Sequence, residues 1–444
     1  MNFSPRKLLR GLVPLSLVVG VGSASAQPVS TVRFSASDPG EAVATIAAFC
    51  PRCDWGVPGR EAVALRLLLD GRYSQHLLLT RRGSASYRVM LGPVAAGAHR
   101  LSVVYDQTLT ARDAGSFAVG TVDVQVVTAG SPEYDKLAFA PVLHERPNTT
   151  GRFSDTPLLM WVESDTTPAG RRFRYSVIFS NEDGGTPADR LMATWGRTTD
   201  IELVYDVAMD AAGNILKEEI QAPRHEIVLF HGPKLGTHPL LWVVTGNNMV
   251  SDTGEGTIRH APAPIAFTLT GRSREAVMDA NPWTYQVMAA ELSRENKIDS
   301  DAKAGSGIIP DPRRYAYVEA CGDLSEATAI ALDVGVERGG EVEWFSTDRD
   351  TPQFRVARSG CFRAAAPLPE GVRLPGTPRL RARAYRKVTD RDTPPPAGPV
   401  TATLRRVNTV FMLDDNYRPG PALLRWTGSV TVGLEAPVDI AATK

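Results

Sequence analysis

The feature that most constrains this chain is its punctuation: short apolar runs, each closed within a few residues by a turn signal. Val63 to Leu69 is an apolar run ended by Asp70-Gly71, a pair suited to the positive φ angles of a two-residue hairpin turn. His76–Thr80, Tyr87–Leu91 and Arg100–Tyr105 follow at similar spacing, with Gly92-Pro93 and Gly97 as breakers. Runs this short are too brief for helices and match the rhythm of a β-sandwich. The reading is a mainly β chain of several β-sandwich domains, with one helical segment near residues 275–297.

The 444 residues allow two to four domains at about 100–200 residues each. Residues 28–130 read as an immunoglobulin-like sandwich. Residues 133–272 form a second β-rich block, with strands expected over Pro157–Val162, Arg174–Phe179, Asp200–Val207, Glu226–Phe230 and Leu240–Thr245. Residues 273–308 hold the helix and a linker. Val287, Met288 and Leu292 recur at helical spacing, and Pro282 suits a first turn, where its missing N–H costs little. Residues 309–444 are again strand-rich, with Pro394-Pro395-Pro396 marking a loop.

Residues 1–26 have the pattern of a secretory signal. Arg6, Lys7 and Arg10 precede an apolar run from Leu12 to Val21, and Ala24-Ser25-Ala26 offers small residues for cleavage. The run is short of the ~20 residues that span a bilayer. A secreted or periplasmic protein is expected, with no transmembrane segment after signal removal. Export favours two disulfides among Cys50, Cys53, Cys321 and Cys361, with nearest-neighbour pairing preferred among three connectivities. Cys50-Pro51-Arg52-Cys53 has redox spacing but opens no helix, which favours a structural clip over redox or metal use.

Lys plus Arg and Asp plus Glu each number 49, so no net field draws the chain to nucleic acid. Arg379, Arg381 and Arg383 alternate with apolar residues and fall on one face of a strand, most simply a solvated face. Nucleophile elbows, zinc-protease motifs, phosphate loops and dinucleotide fingerprints are all missing from the sequence.

The second block concentrates imidazole and carboxylate. It holds His144, His225, His231, His238 and His260, five of seven histidines, together with Asp183, Asp189, Asp200, Glu202, Asp206 and Asp252. Strand alternation over Asp200–Val207 puts Ile201, Leu203, Tyr205 and Val207 on a packed side and Asp200, Glu202 and Asp206 on the other. Two carboxylates at i and i+2 share a cation, or divide acid and base roles, or simply face water. Trp161, Trp195 and Trp242 offer stacking surfaces for sugar, Trp195 being the better placed for exposure and Trp242 for burial.

The block resembles the necrosis- and ethylene-inducing proteins and the related vacuolar-protein-sorting-like group, both β-sandwich folds. The likeness rests on Thr199-Asp200-Ile201-Glu202, on His225, on His238-Pro239 running to Gly246-Asn247-Asn248, and on Ala140-Pro141-Val142-Leu143. Thr199, Ile201 and Asn248 replace the group's His, Trp and final His. The resemblance implies a divalent ion (Mg²⁺, Mn²⁺, Ca²⁺ or Zn²⁺) held by Asp189, Asp200, Glu202, His225 and His238, serving a glycan or lipid headgroup. The alternatives are an extracellular hydrolase using Asp200 and Glu202 as acid and base, and a structural surface protein with no site.

Overall fold

The structure, a computed structural model, describes residues 27–182, 184–374, 376–389, 394–434 and 436–440. The signal-like segment 1–26 and Asp183 lie outside the described residues. The chain is mainly β: six sheets, antiparallel or mixed, and five short α-helices among the described residues. That agrees with the fold class read from the turn spacing.

Seven strands come first: β1 (Pro28–Ala36), β2 (Gly40–Cys50), β3 (Val63–Leu69), β4 (Arg72–Leu79), β5 (Gly83–Val94), β6 (Gly97–Asp106) and β7 (Ala118–Thr128). They form a four-stranded sheet, β1-β6-β3-β4, and a three-stranded one, β5-β2-β7. Ile46, Leu65, Leu67 and Leu101 are fully buried between them. The β3–β4 hairpin turns on Asp70 and Gly71 with φ of 51° and 79°, the positive pair that Asp-Gly supplies at low steric cost. Cys50 and Cys53 are buried and disulfide-bonded, a clip at the end of β2.

The central block contains α1 (Tyr134–Ala138), β8 (Val142–His144), α2 (Thr149–Arg152), β9 (Pro157–Thr167), β10 (Gly170–Phe179), α3 (Ala188–Trp195), β11 (Asp200–Met209), β12 (Ile215–Ala222), β13 (Glu226–Leu229), β14 (Lys234–Leu235), β15 (His238–Val243), β16 (Val250–Ser251), β17 (Arg259–His260) and β18 (Ile265–Ala266). Its six-stranded sheet runs β13-β12-β11-β10-β9-β18; the facing sheet runs β14-β15-β8-β17, with β16 on β15. Phe173, Tyr175, Val177 and Phe179 of β10 meet Leu241 and Val243 of β15 in the core.

The helical segment is α4 (Ala276–Ala280) and α5 (Trp283–Arg294), with Pro282 capping α5. It is no free spacer. Tyr285, Met288 and Leu292 are buried against Trp161, Ile178 and Ile201 of the central sheet and Tyr317 and Phe411 beyond. The last block has β19 (Tyr315–Leu324), β20 (Thr328–Arg338), β21 (Glu341–Ser346), β22 (Gly360–Pro367), β23 (Arg379–Arg386), β24 (Thr401–Phe411), β25 (Leu424–Gly433) and β26 (Val438–Ile440). Two sheets, β22-β19-β24-β25 and β21-β20-β23-β26, enclose its core. Cys321 and Cys361 stand directly opposite on β19 and β22 and are bonded. Arg379, Arg381 and Arg383 share one face of β23, where Glu337 and Asp333 neutralise them.

Candidate functional site

The site begins with an irregularity in β11. Residues directly paired in an antiparallel ladder share a face. Asp200 pairs with Phe179 and Glu202 with Val177, both core residues of the sandwich. The register then slips: Tyr175 pairs with Tyr205 and Ser176 with Leu203, leaving Val204 as the extra residue of a β-bulge. Tyr205 and Val207 thereby take over the core face, while Ile201 and Leu203 face the opposite way.

This corrects the simple alternation expected from sequence. Asp200 and Glu202 do leave the same side of the strand, but that side is the end of the sandwich interior. Asp206 is not with them. It lies on the other face and is gripped by Arg172, Nε to Oδ1 at 2.7 Å and Nη2 to Oδ2 at 2.6 Å. Leu203 is half-buried outside the core that holds Tyr205 and Val207.

Asp200 and Glu202 open into a cavity of about 500 Å³ between the central sandwich, α3, α4 and the last block. Part of the lining is acidic. Asp200 accepts the Asn248 side-chain N–H at 2.9 Å and the Ile201 backbone N–H at 2.9 Å. Glu202 accepts from Gln221 Nε2 at 2.6 Å, and that same amide lies 2.9 Å from His225 Nδ1. His225 follows Arg224 in a tight turn, both at positive φ (61° and 66°), which sets its half-exposed ring at the rim. Burial, reinforced by the charge of Asp200, pushes the Glu202 carboxyl up to about 9. Burial also raises Asp200, and burial with the Asp200 charge raises Glu182 to about 7.

Three guanidiniums share the lining. α3 stops at Gly196, whose φ of 62° makes the left-handed C-terminal turn. A Cβ there would sit 2.8 Å from Arg363 Cγ, so this position requires glycine. The turn delivers Arg197, which donates to Glu275 at 3.2 Å and to the Thr199 carbonyl. Arg358 donates to the Thr194 carbonyl at 2.6 Å and stacks 5.0 Å from the Trp195 ring; burial lowers it to about 10. Arg274 reaches the Ile201 carbonyl at 3.4 Å. Trp195 is half-buried and lines the cavity, as does Cys361.

Of the residues expected from sequence to form a site, Asp200, Glu202 and His225 come together here. Two do not. Asp189 is buried in the first turn of α3 and accepts N–H groups from Gly305 at 2.7 Å and Gly307 at 3.2 Å, which fixes that loop. His238 is buried elsewhere, its Nε2 2.9 Å from Glu41 and its Nδ1 2.8 Å from the Ala140 carbonyl. It fastens the central block to the first sandwich. Trp161 is fully buried; Trp242 is half-buried and stacks on His144 at 4.4 Å. Gln221, Glu182, Arg274, Glu275 and Arg358 escape a reading by sequence, because they reach the cavity from separate elements and carry no local spacing signal.

The donor set does not fit a divalent ion. Asn248 aims an N–H at Asp200, where the resemblance has an imidazole, and Arg197 holds a guanidinium 3.9 Å from the same carboxylate. Thr199 is fully buried. Among the described residues no group of three His, Cys, Asp or Glu side chains converges as metal ligands.

No family model matches the chain, and no curated protein matches it. Among solved structures the chain is similar to the EclA C-terminal domain, a sugar-binding protein, at 16% identity over 22% of this chain and 68% of that one, with a TM-score of 0.17. Likeness at that level carries no argument about fold or function. The resemblance of residues 133–272 to the necrosis- and ethylene-inducing group therefore rests on its short motifs alone. What the fold and site define is a mainly β, multi-sheet protein with two disulfides and a polar cavity between blocks. No helix among the described residues is long and apolar enough to cross a membrane.

Proposed function

We propose that this is an exported binding protein that holds a glycan in the cavity between its central sandwich and its last block. One observation carries the reading: about 500 Å³ of space lined by carboxyls, guanidiniums, side-chain amides and a half-buried indole. Small-ligand sites occupy about 300–1,000 Å³ and orient their ligand with a few convergent polar groups. Sugar hydroxyls donate and accept at once, so a wall alternating Asp200, Gln221 and Arg197 suits them, with Trp195 beside it for the apolar ring face. The two disulfides are compatible with an oxidising compartment.

The test is a glycan array followed by calorimetry on the mature chain. Trp195→Ala and Asp200→Asn are each expected to weaken binding at least about tenfold, or about 1.4 kcal/mol. Added EDTA is expected to change nothing, because the donor set suits no divalent ion. A chain that retains no glycan, or binding that Trp195→Ala leaves intact, ends the reading.

A second reading is favoured by the Glu202 carboxyl, which burial keeps protonated at neutral pH, as a general acid must be. In that case release of reducing ends from a polysaccharide panel should fall by about 10²-fold or more in Glu202→Gln. Product release unchanged in that variant removes Glu202 from any such role.

A further inference from the structure

The charges that line the cavity are unevenly paired, and that says what kind of saccharide it takes. Where α3, the residues just before α4 and the segment before β22 meet, three guanidiniums (Arg197, Arg274 and Arg358) stand near one carboxylate, Glu275. Arg197 claims that carboxylate at 3.2 Å. Arg358 has a backbone carbonyl, the Trp195 indole face and the more distant Phe362 ring as its contacts; Arg274 has a backbone carbonyl and the attraction of Glu163 and Glu202. Neither forms an ion pair among the described residues. Glu275 attracts Arg358 more strongly than Arg197 or Arg274 repels it, but Arg197 is the partner that Glu275 bonds. A half-buried guanidinium that shares its nearest carboxylate with another arginine is only partly compensated, and a bidentate anion supplies the rest.

The carboxyls set the limit on that anion. Glu182, Asp200 and Glu202 line the cavity together, and Gln221 links Glu202 to His225. These groups accept and donate hydrogen bonds to hydroxyls but disfavour a second negative charge. A single carboxylate on a polyhydroxylated body uses both kinds of group, and it adds one negative charge beside Glu182, Asp200, Glu202 and Glu275 where a dianionic phosphate adds two.

We infer that the ligand is an acidic saccharide, a hexuronic acid or an oligomer of one, whose carboxylate is held by Arg358 with Arg274 at the rim. This rests on the glycan-binding reading and narrows it. Arg358 is the specificity-determining residue, and Trp195, stacked on its guanidinium, holds the fork in place.

The experiment is calorimetry on the mature full-length chain with paired probes: galactose and glucose oligomers, the corresponding uronate oligomers, their methyl esters, and a sugar phosphate. The uronates should bind at least about tenfold more tightly than their neutral partners, and esterification should erase the difference. Arg358→Gln should reduce the uronate preference to within about twofold, and Arg358→Lys, which keeps charge but loses the fork, should retain part of it. Thermal melting of each variant verifies its fold. The inference is overturned if neutral and acidic oligomers bind alike, if the preference survives in a folded Arg358→Gln chain, or if the sugar phosphate binds more tightly than the uronate. Binding of neutral oligomers alone defeats the acidic assignment and leaves the glycan reading standing. Binding of neither class defeats both.

Discussion

Replacing Arg363 by Leu is expected to lower the melting transition of the helical segment and last block by roughly 10 °C, at about 2–4 °C per kcal/mol for a unit of this size. Arg363 is fully buried in β22, directly across the ladder from the equally buried Glu319 of β19. Its guanidinium bonds Glu319, both oxygens of Asp279 at 2.7 and 2.6 Å, and the Tyr285 hydroxyl at 2.7 Å. It thus joins α4 and α5 to the last block. Burial alone would raise the Glu319 carboxyl, but the guanidiniums of Arg363 and Arg272 hold it down at about 2. Removing one partner of a buried pair costs about 3–5 kcal/mol, because the other charge is left uncompensated in low dielectric. Arg363→Lys should fall between, and Arg363→Leu with Glu319→Leu should recover part of the loss, since two neutral side chains leave no orphan at that pair. Calorimetry of the three variants decides it; a change under about 2 °C for Arg363→Leu would show that the network contributes little.

The same network marks what sequence can and cannot disclose. Strands are legible because alternation and turn chemistry are local: Val63–Leu69 and the Asp70-Gly71 turn lie where the pattern puts them. The helix at α5 is legible from the 3.6-residue spacing of apolar side chains. The short helix α3 is harder to single out, although its signals are present in Ala188, Leu191, Met192 and Trp195 on one side and Gly196 as the stop. The bulge at Val204 leaves no trace that period-two counting detects, and it alone moves Asp206 to the opposite face. His238 reads as a site residue in sequence because the partner that claims it, Glu41, lies 197 residues earlier in the chain. Asp200, Glu202 and His225 follow from strand spacing and the motif likeness. Arg274 and Arg358 do not, since only the packing of three blocks brings them there.

Stability should peak in mildly acidic solution, because two sets of buried groups titrate with opposite sign. His260 is fully buried and lowered by burial to about 3, and burial lowers His76 and His144 as well. For these the unfolded chain binds more protons below its ordinary value of 6.5, so stability is lost as pH falls from there toward 3. Glu202, raised to about 9, and Glu291, raised to about 7 chiefly by burial, behave in reverse. The folded chain holds their protons more tightly, so stability is full below about 4.5 and is lost as pH rises toward 7 and then 9. Glu319, held at about 2, adds to the acid limb below 4.5. Each tenfold difference in proton affinity between the folded and unfolded chain is worth about 1.4 kcal/mol, so each limb amounts to several kcal/mol. Between pH 4.5 and 6.5 the raised carboxyls, Glu182 among them, outnumber the lowered imidazoles of comparable shift, so the melting temperature should be highest near about pH 5 and fall on both sides. Glu202→Gln keeps an oxygen to accept from Gln221 and removes the ionisation, so it should shrink the alkaline limb to the part that Glu291 contributes and leave the acid limb unchanged. Melting curves from pH 4 to 9 in constant ionic strength would test this; a melting temperature that climbs steadily to pH 8 would mean that the carboxyls at the end of the central sandwich are already ionised and solvated, and that the cavity they line is wetter and less selective than its burial implies.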